Sequence, residues 1–190
     1  MSKILFVNAC VRNNSRTLEL AEHVMKSLTG EREDINLYET ELSPLDNAGI
    51  EIRDKASSTN NFSNNVFSIA KQFANADTIV IAAPYWDLMF PAVVKSYFEL
   101  VTVNGLTFVY GDNGIPMGLC KAKNLIYVTT SGGPIIHDFG FKYVTALAKS
   151  FYGINNVKCI SAQGLDIHGA DANAILSKAK ESVNDLFLND

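Results

Sequence analysis

Four residues near the N-terminus, Arg12, Ser15, Arg16 and Thr17, carry the donors that an anion needs. Two guanidinium groups suit phosphate oxygens, and two hydroxyls add neutral donors. A helix starting at Arg16 would add unpaired backbone N–H groups and the positive end of its dipole. A second segment, Pro84-Tyr85-Trp86, offers a proline and two aromatic faces that can wall a flat ring. A third, Thr129-Thr130-Ser131-Gly132-Gly133, combines hydroxyls with paired glycines, which let a ligand approach backbone N–H groups closely. His137 follows within a few residues and could bring an imidazole to the same place. Each segment alone has an ordinary explanation: a helix cap with solvated arginines, aromatics sealing a core, a tight turn needing positive φ, and a solvated histidine.

Other chemistries lack their residues. There is no G-x-x-x-x-G-K-[ST] and no G-x-G, so neither a P-loop nor a dinucleotide fingerprint is present. His23, His137 and His168 lie far apart without an H-E-x-x-H pattern, so no metal site is expected. Cys10, Cys120 and Cys159 are odd in number, widely spaced and without a C-x-x-C, which fits a reducing interior.

The elements that must position the three segments are readable from the apolar pattern. Lys3 to Asn8, Asp77 to Ala83, Leu125 to Thr129 and Val157 to Ala162 are short apolar runs, the pattern of strands buried on both faces. Ile35 to Glu39 is expected as a further short strand. Between them, Leu18, Ala21, Val24, Met25 and Leu28 recur at helical spacing behind Ser15 as N-cap, with Gly30 as the stop. Val66 to Ala74, the stretch opened by Pro91, Phe141 to Tyr152, and Ala170 to Phe187 are also predicted helical. Ser43 to Asn65 is polar and weakly patterned, and both a long excursion and a short helix stay open there. Leu106 to Tyr110 is extended, and Gly111 to Gly118 is expected to be a glycine-rich loop.

Alternating short strands and helices indicate an α/β fold: a doubly wound, five-stranded parallel sheet of order 2-1-3-4-5 with helices on both faces. Ligands in such a fold bind beyond the carboxyl ends of the strands, at the switch point between strands one and three. That rule selects the segments after Asn8, Ala83 and Thr129, the same three that carry the chemistry. An anion end and a flat-ring end together describe a mononucleotide such as FMN.

The 190 residues are 47% hydrophobic with a formal net charge of -4. The length suits one domain, residues 1–190, and the apolar fraction excludes a disordered chain. Mild acidity argues against nucleic acid as a partner. The first apolar run is too short for a signal peptide and no run is long enough to span a membrane, so a soluble, cytoplasmic protein is expected.

The sequence resembles the flavodoxin-like FMN-dependent NAD(P)H oxidoreductases, in particular the NADH:quinone reductase and azoreductase group. Five short motifs carry the likeness in order and spacing: Arg12-x-x-Ser15-Arg16-Thr17, Ala82-Ala83-Pro84-Tyr85-Trp86, Pro91-x-x-x-Lys95-x-Tyr97-Phe98-Glu99, Thr107-Phe108-x-Tyr110 and Thr130-Ser131-Gly132-Gly133. The resemblance implies an FMN phosphate held around Cys10, Ser15, Arg16 and Thr17. It implies an isoalloxazine ring against Pro84, Tyr85, Trp86, Asp87 and Leu88, with Thr130, Ser131, Gly132 and Gly133 at its pyrimidine edge. It further implies a homodimer, with Phe108 or Tyr110 of the partner subunit entering an acceptor pocket bounded by Trp86 and Phe90. NADH or NADPH would donate hydride, and a quinone, azo or nitroaromatic acceptor would then take the electrons in ping-pong order. Gly132 and Gly133 N–H groups would stabilise developing negative charge, with His137 as a second contributor or proton donor. Three positions depart from the family. Cys10 stands where a hydroxyl is common, Asp87 where Asn is common, and Ser131 where azoreductases often carry Arg. The alternatives are a non-catalytic flavodoxin-type electron carrier and a flavin-binding sensor.

Overall fold

The computed structural model describes residues 1–187. Five strands form one parallel sheet: β1 (Lys3–Asn8), β2 (Glu31–Asn36), β3 (Thr78–Ala82), β6 (Asn124–Thr130) and β7 (Asn156–Ala162). Their order is β2-β1-β3-β6-β7, which is 2-1-3-4-5 when only the sheet strands are numbered. The fold expected from the apolar pattern is the one observed. The helices are α1 (Arg16–Lys26), α2 (Asn47–Thr59), α3 (Ser68–Asn75), α4 (Ala92–Val101), α5 (Phe139–Leu147) and α6 (Ala172–Phe187).

The two faces of the sheet follow from the period of two along each strand. Ile4 and Phe6 of β1, Val80 and Ala82 of β3, and Ile126 and Val128 of β6 pack with Leu20 and Val24 of α1 and Leu176 of α6. The alternate residues Leu5, Val7, Ile79, Ile81, Leu125 and Tyr127 pack with Phe73 of α3, Val94 and Phe98 of α4, and Val144 of α5. Both faces are therefore covered, which is why the central strands read as unbroken apolar runs.

Two segments differ from the sequence expectation, and a third that it left open is resolved. β2 begins at Glu31, four residues before the expected start at Ile35. It is an edge strand paired only with β1, and Glu31 to Asp34 face solvent, so it lacks an apolar signature. Arg32 lies 4.7 Å over the Phe6 ring and ion-pairs with Glu22 and Asp34, which secures this polar edge. The open stretch after Ser43 contains α2. Asp46 caps it by accepting the Gly49 N–H at 2.8 Å, and Asn60 ends it in the left-handed region. Ala56 is its buried residue, so the helix shows almost no apolar period.

The glycine-rich loop is in part a strand. β4 (Phe108–Tyr110) and β5 (Pro116–Gly118) form an antiparallel hairpin beside the sheet. A Cβ on Gly118 would stand 2.1 Å from the Gly153 nitrogen, so this glycine is required by close backbone approach. The contact docks the hairpin on residues Ala148–Tyr152, a wider π-type turn that extends α5.

Candidate functional site

The carboxyl ends of β1, β3 and β6 open onto a cleft of about 540 Å³. Its walls bring together Arg12, Ser15, Arg16, Thr17, Pro84, Tyr85, Trp86, Thr130, Ser131 and Gly132. Cys10, Asp87, Leu88, Gly133 and His137 are not among the lining residues.

The anion end is built by the start of α1. Ser15 is its N-cap: the backbone is extended and Oγ accepts the Leu18 N–H at 3.2 Å. The Ser15 carbonyl takes the Glu19 N–H at 3.0 Å. Among the described residues, the N–H groups of Arg16 and Thr17 have no acceptor, so two backbone donors and the helix dipole remain available. Arg12 lines the same end; its carbonyl accepts the Ser15 N–H at 3.2 Å, while its guanidinium has no hydrogen bond or ion pair among the described residues. Arg16 is committed instead: its guanidinium donates to the Leu165 carbonyl at 3.1 Å and to Asp166 Oδ1 at 2.8 Å. Thr17 is buried, with its hydroxyl 2.6 Å from that of Thr130.

Cys10 lies beneath this end. Its thiol is buried and donates to the Ala82 carbonyl at 3.7 Å, tying the first loop to the end of β3. Burial pushes the thiol up to about 11, with a smaller opposing effect from the Ser15 hydroxyl. It is a neutral packing group at pH 7, not a nucleophile.

The ring end is built by the exit of β3. Tyr85 donates its N–H to the Thr130 carbonyl at 3.0 Å and its hydroxyl to the His137 carbonyl at 3.0 Å. Trp86 is 39% exposed at the cleft. Trp86 and Met89 exchange two backbone hydrogen bonds, at 3.0 and 2.8 Å, around a tight turn. Asp87 and Leu88 form that turn with φ of 49° and 69°. Two consecutive non-glycine residues in the left-handed region are strained, at about 1 kcal/mol or more each. Trp86, at the start of the turn, lines the cleft, while Asp87 and Leu88 are exposed and outside it.

The third wall is held by the loop after β7. Ser131 Oγ donates to the Gly133 carbonyl at 2.6 Å. The carbonyls of Ser131, Gly132 and Gly133 accept N–H groups from Leu165, Asp166 and Gly164 respectively. The N–H groups of Gly132 and Gly133 have no acceptor among the described residues. Neither glycine has positive φ, so a turn constraint does not account for the pair. At Gly132 a Cβ would stand 2.3 Å from Asp166 Oδ2, so a side chain there would displace the Asp166 carboxylate.

His137, expected as a proton donor, is placed differently. Its imidazole stacks on Phe139 at 5.5 Å, and its carbonyl is what braces Tyr85. Sequence reasoning missed three lining residues, Val11, Asn14 and Asp166. Val11 and Asn14 belong to a loop already selected. Asp166 comes from the loop after β7, a strand end that the switch-point rule left out, and its position two residues after Gly164 at a strand exit was the available signal.

The donor set suits a phosphate monoester joined to a flat ring. Unpaired N–H groups, Ser15 and Arg12 lie at one end, and Tyr85 and Trp86 at the other. A family described as flavodoxin-like fold matches residues 2–187. An FMN-dependent NADH:quinone oxidoreductase of Coprothermobacter proteolyticus is 35% identical, with 98% of each chain covered. A protein of the same name in Lachnoclostridium phytofermentans is 32% identical, covering 95% of this chain and 96% of its own. Among solved structures, an azoreductase from Bacillus anthracis superposes with a TM-score of 0.84 at 25% identity, covering 98% of both chains.

Proposed function

The chain belongs to the flavodoxin-like fold family, and from that premise we propose that it is an FMN-dependent NAD(P)H oxidoreductase acting on quinones or azo compounds. Relatives named for NADH:quinone oxidoreduction cover nearly the whole chain at 32–35% identity, which supports the activity and NADH as donor. The observation that carries the reading is the single cleft in which three strand ends join unpaired donors to an aromatic wall.

In this reading Arg12, Ser15 and the N–H groups of Arg16 and Thr17 hold the phosphate. Cys10 supports that loop from below through Ala82. Pro84, Tyr85 and Trp86 wall the ring, and the Asp87–Leu88 turn fixes Trp86. Thr130, Ser131, Gly132 and Gly133 face the pyrimidine edge, where two unpaired N–H groups can stabilise negative charge. FMN, when bound, would supply the two-electron redox chemistry that links a nicotinamide donor to a flat acceptor in ping-pong order. His137 serves by holding Tyr85 through its carbonyl, and the proton is left to solvent or substrate.

The reading includes a single flavin-binding domain, a homodimer and a cytoplasmic location. Tyr110 and Trp86 are both large exposed hydrophobics, which suits an acceptor pocket completed by a second copy. No helix among the described residues is long and apolar enough to cross a membrane. All three cysteines are free, which suits a reducing compartment.

Purification tests the reading. The protein is expected to be yellow, to release FMN on denaturation, and to lose its flavin colour rapidly when mixed anaerobically with NADH. A colourless protein that cannot be reconstituted with FMN overturns it. Flavin that persists against NADH favours the electron carrier or sensor.

A further inference from the structure

The sequence puts two arginines at the anion end; among the described residues the Arg16 guanidinium is committed and that of Arg12 is not. Arg16 spans the cleft to the loop after β7, where Asp166 Oδ1 holds its Nη2 at 2.8 Å and the Leu165 carbonyl holds Nη1 at 3.1 Å. The same carboxylate lies against Gly132, close enough that a Cβ there would meet Oδ2 at 2.3 Å. Asp166 also donates its backbone N–H to the Gly132 carbonyl at 2.9 Å. One acidic side chain therefore touches both the cation of the first loop and the glycine of the third.

This geometry has little value as a stability device. The paired side chains are 35% and 65% exposed, and exposed ion pairs contribute about 0–1 kcal/mol. Its consequence lies in the cleft. A carboxylate among the lining residues of an anion site repels the ligand and competes with it for Arg16. An uncharged acceptor at the same place could also bond Arg16, more weakly and without a negative charge in the cleft.

We propose that Asp166 is a specificity-determining and positioning residue: it neutralises Arg16 and holds its guanidinium on Leu165, so that the cleft binds FMN less tightly than its donors allow and disfavours added negative charge beside Gly132. The proposal rests on the flavin reading of the cleft. It assigns the direct phosphate cation to Arg12. Arg16 acts as a strap between the first loop and the loop after β7.

The test compares Asp166→Asn and Asp166→Glu with the unmodified chain. Asn retains the size of the side chain and an oxygen for Arg16, removes the charge, and replaces the second oxygen with an amide donor. Glu retains the charge. Flavin-free full-length protein is titrated with FMN and with riboflavin, which lacks the phosphate, and the two-electron midpoint potential of the loaded protein is measured. Asp166→Asn is expected to tighten FMN about three- to fivefold, the size of an exposed charge interaction, with riboflavin changed much less. The midpoint potential is expected to rise, because the reduced ring is the more negative form. Asp166→Glu is expected to keep the original FMN-to-riboflavin ratio and potential. If Asn and Glu shift both flavins equally, or if Asn leaves ratio and potential unmoved, Asp166 is only a loop contact and the proposal falls. If the unmodified chain binds neither flavin, the flavin reading falls, and the proposal with it.

Discussion

The hydroxyl oxygens of Thr17 and Thr130 lie 2.6 Å apart, both side chains buried, and join the start of α1 to the end of β6. The bond fixes two of the three walls of the cleft relative to each other. Thr17→Val or Thr130→Val alone leaves one buried hydroxyl unpaired and is expected to cost about 1–3 kcal/mol. The double variant removes both partners and should recover most of that loss. Urea unfolding of the four flavin-free proteins checks this cycle; additive losses would mean that the two hydroxyls do not pair.

The cysteines predict a loss of stability at alkaline pH. Burial pushes Cys10 up to about 11, and Cys120 and Cys159 up to about 12, from an ordinary value of 9.0. The folded state therefore holds these protons after the unfolded chain has begun to lose them. Their contribution is fully present below pH 9 and falls as pH rises toward 11–12. Each such group costs about 1.4 kcal/mol per pH unit across that window. Urea midpoints should fall between pH 8.5 and pH 10.5, and less so in Cys120→Ala. A flat profile would contradict the burial.

What was legible in the sequence follows from burial. β1, β3 and β6 are covered on both faces, so each is an apolar run whose carboxyl end can be located. β2 was misplaced because its first four residues face solvent. α2 was unreadable because burial falls on Ala56 and leaves no apolar stripe. Loop composition identified the first and third walls, and Trp86 the second. It did not reveal that Arg16 is engaged, because Asp166 lies 150 residues away in sequence. Nor did it show that His137 turns its carbonyl to Tyr85, since backbone contacts leave no residue-type signature.

Arg53 is expected to be a stability determinant outside the cleft. Its guanidinium donates to the carbonyls of Glu99, Leu100 and Thr102 at 2.7, 3.0 and 3.4 Å, capping the end of α4 from α2. Half-burial lowers its proton affinity somewhat, yet it stays charged at neutral pH. Arg53→Met keeps much of the apolar stem and removes the donors, and should lower stability by about 2 kcal/mol. Arg53→Lys should recover only part, because one ammonium cannot reproduce the fork. Equal stability of Lys and Arg in thermal unfolding would show that charge alone suffices.

Trp86 is the chain's one tryptophan and stands at the cleft with 39% of its surface exposed. Its emission therefore reports this place and no other. On titration of flavin-free protein with FMN, tryptophan emission should be quenched in parallel with the binding of FMN. Trp86→Ala should weaken FMN about tenfold, a loss of about 1.4 kcal/mol that matches an aromatic wall contact. Asp87→Gly offers the matching control for the turn. It relieves the left-handed strain at φ of 49° and leaves the indole in place, so stability should rise by about 1 kcal/mol or less while quenching persists. Bound FMN with unquenched Trp86 emission would place the ring away from the β3 exit, and the aromatic wall would have to be reassigned.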